Sequence, residues 1–446
     1  MQDRFLWGVA TSAHQIEGNN QHSDWWAWEH DTKSPCKEPS GQASLHLHHW
    51  KEDLTLARDL IDVKAYRFSI EWAKLKPTPS EWDESYFNWV IELLRTLKTL
   101  DLEPMITLHH FTNPLWFSQK GGWARKNAHI DFVHYVEELL EKLEQHLGKN
   151  QMPQLWIPFN EPMPLALGAY VGGFQPPGVF SPQKAALALE EILYAQAALY
   201  QRLHRLSVPG VKVGVAQNQF YWRAERAWSP IDQALSRYLR FFYNEAWIEC
   251  ALGKRTRFGI PGFLRIHLDH TLKQSLDFLG INYYTEAIVG LFPKERDPHI
   301  DTHSKFSRLL GLRFSDHLSG RDHSDLNWVI SPEGFDQVLM HAKKRFPELP
   351  LFITENGLAD ANDSKRAAFL NAHLEILEKH RAQPHPILGY FHWSLLDNFE
   401  WIEGFAPRFG LISVNYQTGE RNIRNSASQY RTWIQNAPPG SKVTQS

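Results

Sequence analysis

The sequence has 446 residues, 43% hydrophobic and 22% charged, with 47 basic and 50 acidic side chains and a formal net charge of −3. This balance excludes a disordered or collagen-like chain, and it excludes an electrostatic nucleic-acid binder, which carries a strong basic excess. No stretch approaches the roughly 18 apolar residues of a membrane span, no apolar leader follows Met1–Arg4, and Cys36 and Cys250 are too few for a disulfide framework or thiolate cage, so a cytoplasmic location is expected.

Short β-branched or aromatic runs alternate with longer amphipathic stretches. Phe5–Ala10 reads as the first strand, followed by a helix through Leu54–Leu60 and a second strand at Ala65–Ser69. Phe87, Val90, Ile91, Leu94 and Leu97 recur at three- and four-residue steps and predict a helix over Tyr86–Leu100. Pro104–Leu108 is the third strand, the run from Phe132 to Leu143 the next helix, and Leu155–Phe159 the fourth strand. A long helix, Ala185–Leu206, leads to the fifth strand, Lys212–Ala216. Phe278–Tyr283, Leu351–Thr354 and Ile387–His392 complete the set, and residues 285–330 read as loop. Length alone suggests about three domains of roughly 150 residues. No Ser/Gly- or Pro-rich linker divides the chain, so one domain over 1–446 is expected: α/β class, a (β/α)8 TIM barrel with long βα loops.

Barrels of this kind carry their chemistry at the C-terminal strand ends. The polar residues there are Arg67, His109 and His110, Asn160 and Glu161, Asn282 and Tyr284, Glu355 and Asn356, and Trp393. Glu161 in PFNEP and Glu355 in FITENG follow strands four and seven, nearly opposite in an eight-strand ring. Two facing carboxylates roughly 5 Å apart suit a retaining glycosidase, and a gap of about 6.5–9.5 Å suits an inverting one. One must stay ionised while the other holds a proton. Arg67 is the candidate cation for Glu355, which leaves Glu161 as the proton carrier. The bland alternative is a pair of solvated rim glutamates.

FNEP and ITENG in this order resemble the two signatures of glycoside hydrolase family 1, the β-glucosidase family. FLWGVATSAHQIEG (5–18), YRFSIEW (66–72), TLHHF (107–111), LGINYY (279–284), GYFHWSLLDNFEW (389–401) and RFGLISVNY (408–416) also resemble that family's motifs, in family order. The resemblance implies a nucleophile at Glu355, a general acid/base at Glu161, and nucleophile support from Arg67 and Tyr284. It implies sugar contacts from Gln15, His110, Asn160, Glu400 and Trp401, and a stacking platform at Trp393. Asn282 corresponds to a supporting pocket residue and Trp328 to an aglycone-side tryptophan. It implies no metal and no cofactor. His46, His48, His49, His109 and His110 invite a zinc reading, but no HExxH pattern accompanies them. Trp7, Trp25, Trp26 and Trp72 read as packing.

Glu161 is not the glutamine of the family's thioglucosidase branch, and a carboxylate at Glu400 would repel the phosphate of a 6-phosphoglycoside. Three positions depart from the pattern. Phe111–Thr112 stand where a Trp–Asp pair is usual, which alters the O3/O4 edge of the sugar site. Met163 follows NEP where an aromatic is frequent, so a changed aglycone entrance is expected, and Leu45 replaces an Asp. The resulting expectation is a retaining, exo-acting β-glucosidase. It would act on terminal non-reducing β-D-glucosyl residues of short oligosaccharides or aryl glucosides, with no nucleic-acid or membrane partner. Broad β-galactosidase or β-fucosidase activity is the alternative within the family, and a non-catalytic sugar-binding homologue or a metal-dependent barrel hydrolase the alternatives outside it. Oligomeric state is not set by the sequence.

Overall fold

The computed structural model describes residues 5–206, 208–294 and 311–437. Eight parallel strands close a barrel: β1 (Leu6–Ala10), β2 (Ala65–Ser69), β3 (Glu103–Thr107), β4 (Leu155–Ile157), β5 (Lys212–Asn218), β6 (Phe278–Tyr283), β7 (Leu351–Asn356) and β8 (Ile387–Trp393). Each pairs with its sequence neighbour, and β8 closes on β1 with Ala10 opposite Trp393. Strand–helix alternation enforces this order, because parallel neighbours need a crossover between them. The β7 register slips against β6 between Ile353 and Glu355, a bulge that re-aims the residues after it.

The helical predictions hold where the apolar period is strong. The helix Glu84–Thr99 starts at the Asp83 cap, whose carboxylate accepts from the Tyr86 N–H at 2.9 Å, and it buries the predicted apolar face. Ala128–Leu147 and Pro182–Arg205 cover the next predicted helices. The helix through Leu54 is α-helical from His46 to Thr55 and then winds as a π-helix over Leu56–Ile61. Trp7, Trp25 and Trp72 are buried as expected, and Trp26 is half-buried. Trp72 packs in a ring cluster with Phe117, Phe132 and Tyr135.

At the functional end β3 and β4 stop short of expectation, at Thr107 rather than Leu108 and at Ile157 rather than Phe159, while three other strands run on. β5 runs two residues beyond Ala216, β7 two beyond Thr354, and β8 one beyond His392. The added residues are polar or bulky but pair in the ladder, as Asn218 does opposite Asn282. The stretch expected as loop contains a strand, Glu286–Val289, paired in parallel with Tyr221–Ala224 outside the barrel; residues 295–310 of that expectation lie outside the described residues. Among the described residues, no helix is long and apolar enough to cross a membrane.

Candidate active site

Arg67 sits at mid-strand in β2 rather than at its end, and its guanidinium is fully buried inside the barrel. It reaches toward the C-terminal face and ties three other strands and their loops. Nη1 donates to Glu355 Oε1 at 2.6 Å and to the Thr354 carbonyl at 3.0 Å, Nη2 to Asn160 Oδ1 at 2.7 Å, and Nε to Thr107 Oγ1 at 3.2 Å. The Tyr284 hydroxyl donates to the second oxygen of Glu355 at 2.6 Å. Glu355 is therefore held by a guanidinium on one oxygen and a phenol on the other.

Glu161 has no such cation. It follows β4 in the left-handed backbone region, φ 49°, where a non-glycine residue is strained. Its N–H donates to the Ala216 carbonyl at 2.7 Å, and the Asn282 amide donates to Oε1 at 2.8 Å. The same Asn282 nitrogen is 3.1 Å from Asn160 Oδ1, and its oxygen accepts from Thr354 Oγ1 at 2.7 Å. One network thus joins the two glutamates across the barrel mouth. Burial, and then the charge of Glu355, push the Glu161 carboxyl up to about 8. Burial also holds Glu355 above its usual range, but Arg67 and the Tyr284 hydroxyl oppose that rise. A bound guanidinium favours the ionised carboxyl, and a carboxyl with only neutral donors keeps its proton to higher pH.

The remaining predicted residues gather around this pair. The Asn160 amide lies 3.3 Å from His110 Nε2. Burial and then Arg67 hold His110 well below its usual range, so the ring is neutral. His110 stacks on Trp393 (5.9 Å, 13°) and on Trp401 (6.2 Å, 11°). The Gln15 amide nitrogen donates to Asn398 Oδ1 and the Phe399 carbonyl, both at 2.9 Å, and lies 3.4 Å from Glu400 Oε2. Burial and the surrounding carboxylates push Glu400 up to about 8. Trp328 packs near Tyr284, with ring centroids 6.0 Å apart.

The departures from the family pattern fall in different places. Phe111 is also left-handed (φ 70°) and meets the Trp401 ring edge-on at 5.2 Å. Thr112 Oγ1 donates to the buried Glu71 carboxylate at 2.8 Å. Met163, on the helix Pro162–Leu167, is fully buried and packs in the hydrophobic core. Leu45 is left-handed (φ 57°) and half-buried. The histidines are dispersed, with His46 on Asp53 (2.8 Å) and His109 on Asn113 (2.9 Å). Among the described residues, no group of three or more side chains is placed to hold a metal ion.

Two residues beside Glu161 escaped the sequence reading. Asn218 ends β5, and the Tyr243 hydroxyl donates to Asn218 Oδ1 at 3.0 Å. The available signal was the repeated asparagine at strand ends, FN at 159–160, QN at 217–218, IN at 281–282 and EN at 355–356.

The Glycosyl hydrolase family 1 model matches residues 1–438 of the chain. Beta-glucosidase A of Thermotoga maritima is 30% identical over 97% of each chain, and a beta-galactosidase of Pyrococcus woesei is 27% identical over 97% of each. The solved structure of a beta-glycosidase from Pyrococcus horikoshii superposes with a TM-score of 0.82 at 33% identity, covering 97% of this chain and 95% of that one. With the barrel, the motif order and these likenesses together, the chain belongs to glycosyl hydrolase family 1.

Proposed function

We propose that this glycoside hydrolase is a retaining, exo-acting β-glucosidase, with residues 1–446 working as one catalytic domain. It removes terminal non-reducing β-D-glucosyl residues from short oligosaccharides and aryl or alkyl glucosides. The observation that carries this reading is the asymmetry of the carboxyl pair: Glu355 is bound by Arg67 and Tyr284, while Glu161 receives only neutral donors. Glu355 stays ionised and attacks the anomeric carbon as Glu161 delivers its proton to the leaving oxygen. The glycosidic bond breaks, and a covalent glycosyl ester on Glu355 remains. Glu161, now a carboxylate, takes a proton from water, and the hydroxide oxygen displaces Glu355 with net retention. An alcohol in place of water gives transglycosylation. No step uses a metal or a cofactor.

Asn160 meets the sugar 2-hydroxyl, a contact that strengthens in the transition state. Trp393 floors the pocket, while His110, Glu400, Trp401 and the remaining Gln15 oxygen lone pair bind hydroxyls. Trp328 lines the aglycone side. Activity on β-galactosides and β-fucosides is a second reading, favoured by Phe111, whose ring offers no N–H to the O3/O4 edge. The test is release of 4-nitrophenol from the β-D-glucoside, galactoside, fucoside and 6-phosphoglucoside, with and without chelator. Chelator-resistant release, fastest from the glucoside, absent from the 6-phosphoglucoside and lost in Glu355→Ala, is expected. Binding of plain sugars without release from any of the four would favour a non-catalytic homologue.

A further inference from the structure

The hydrogen bonds that reach Glu161 have their direction set at one end, by Arg67, which can only donate. Its Nη2 donates to Asn160 Oδ1 at 2.7 Å, so that oxygen is an acceptor. The Asn282 side-chain nitrogen lies 3.1 Å from the same oxygen and 2.8 Å from Glu161 Oε1, and the Asn160 oxygen requires an N–H there. This leaves Asn282 Oδ1 facing Thr354, whose hydroxyl donates to it at 2.7 Å. The guanidinium thus orders the amide that reaches Glu161, while its own nitrogens bond Glu355 and Asn160.

Thr354 owes its place to three local features. In the pairing of β7 with β6, Ile353 stands opposite Ile281 and Glu355 opposite Asn282, so Thr354 is the extra residue of the bulge. A bulge re-aims a side chain, and here a fully buried hydroxyl meets the Asn282 amide. Room for it comes from Gly280 on β6: a Cβ there would stand 2.6 Å from Thr354 Cγ2 and 2.8 Å from its Oγ1. The Thr354 carbonyl accepts from Arg67 Nη1 at 3.0 Å, which holds the backbone that carries the hydroxyl. Branching at Cβ restricts the side chain further.

We propose that Thr354 is a positioning residue for the acid/base carboxyl: its hydroxyl holds the Asn282 amide with the N–H side toward Glu161. This rests on Glu161 being the proton carrier. The held N–H stabilises the carboxylate that Glu161 becomes on giving up its proton, and it brings no charge that would strip the proton beforehand. Donation to the amide oxygen also polarises the amide and strengthens its N–H as a donor. The other groups that face the Glu161 carboxyl are Glu355 on β7, Arg67 on β2, Tyr284 after β6, Glu400 after β8, and Tyr243 on the segment Phe241–Glu245. Replacing Thr354 removes none of them.

The experiment compares wild type with Thr354→Val, which keeps the shape and loses the hydroxyl, and Thr354→Ser, which keeps the hydroxyl. Asn282→Ala and the Thr354→Val, Asn282→Ala double variant complete the set. kcat/KM is followed against pH on phenyl β-D-glucoside, whose poor leaving group needs the proton, and on the 2,4-dinitrophenyl glucoside, whose leaving group does not. The Glu161 carboxyl is followed by ¹³C titration, assigned by its loss in Glu161→Gln. Thr354→Val is expected to lose about three- to tenfold on the phenyl glucoside, the range one hydrogen bond supplies, and little on the dinitrophenyl glucoside. Its basic limb and its titration move to higher pH by about half a unit, because the carboxylate is held less well. Thr354→Ser behaves as wild type, and the double variant is no worse than Asn282→Ala. Equal losses on the two substrates, an unmoved titration, or no recovery in Thr354→Ser would overturn the proposal. Thr354→Ala, which also lacks the hydroxyl, serves in place of Thr354→Val where the valine does not fold. If wild type releases phenol from no glucoside, the glucosidase reading falls, and the ¹³C titration still decides whether Thr354 acts on Glu161.

Discussion

At the scale of single residues, the proposed chemistry depends on keeping two buried carboxyl groups in opposite protonation states. Burial raises both, so the difference comes from bonding: Arg67 and Tyr284 on Glu355, an amide on Glu161. The sequence made the Arg67–Glu355 pairing legible, because both residues stand on strands that converge. It did not show that Arg67 reaches up from mid-strand, nor that the Tyr243 hydroxyl bonds Asn218 at the end of β5. The retained proton has a consequence for stability. Glu161 ionises near its ordinary value of 4.5 when unfolded but near about 8 when folded. Between those values the folded state binds the extra proton, so raising the pH destabilises it. Glu161→Gln removes that dependence. Its melting temperature is expected to gain on wild type as pH rises from about 4.5 to about 8, and to hold its advantage above. A constant difference across that window would mean that Glu161 is not proton-bound in the folded protein.

At the scale of elements, the period of the sequence located strands and helices well and their functional ends poorly. β5 and β7 were each expected to stop at the last apolar or β-branched residue, Ala216 and Thr354. Hydrogen bonding carries each strand two residues further, through Gln217–Asn218 and Glu355–Asn356. Polar residues at a strand end look like loop to a hydrophobicity pattern, yet the barrel mouth is where they are needed. The bulge at Ile353–Glu355 is likewise invisible in the pattern. The helices were legible because their buried face is wide and repeated. Phe132, on the helix Ala128–Leu147, is fully buried and touches Trp72, Trp123, Tyr135 and Phe159. Phe132→Ala removes a large side chain from a packed site and is expected to cost about 3–5 kcal/mol, measured by denaturant unfolding. A loss under about 1 kcal/mol would mean that the cluster relaxes around the gap.

At the scale of the whole molecule, eight strands bring residues more than 300 positions apart onto one face. Arg67 and Glu355 are separated by 288 positions and lie 2.6 Å apart, and Gln15 reaches Phe399 across 384. The ring order was legible because strand–helix alternation leaves few other closures. The O3/O4 edge was only partly so. Phe111 and Thr112 stood out as departures, but their contacts with Trp401 and Glu71 appear only in the folded chain. The central claim is a covalent glycosyl ester on Glu355. A 2-deoxy-2-fluoro-β-D-glucoside with a 2,4-dinitrophenyl leaving group forms the ester and hydrolyses it slowly, because the fluorine destabilises both transition states and the leaving group rescues the first. Mass spectrometry of the digested protein should find one fluoroglucosyl adduct, on the peptide containing Glu355. An adduct on Glu161, or no adduct together with first-formed α-glucose from an ordinary glucoside, would contradict the account.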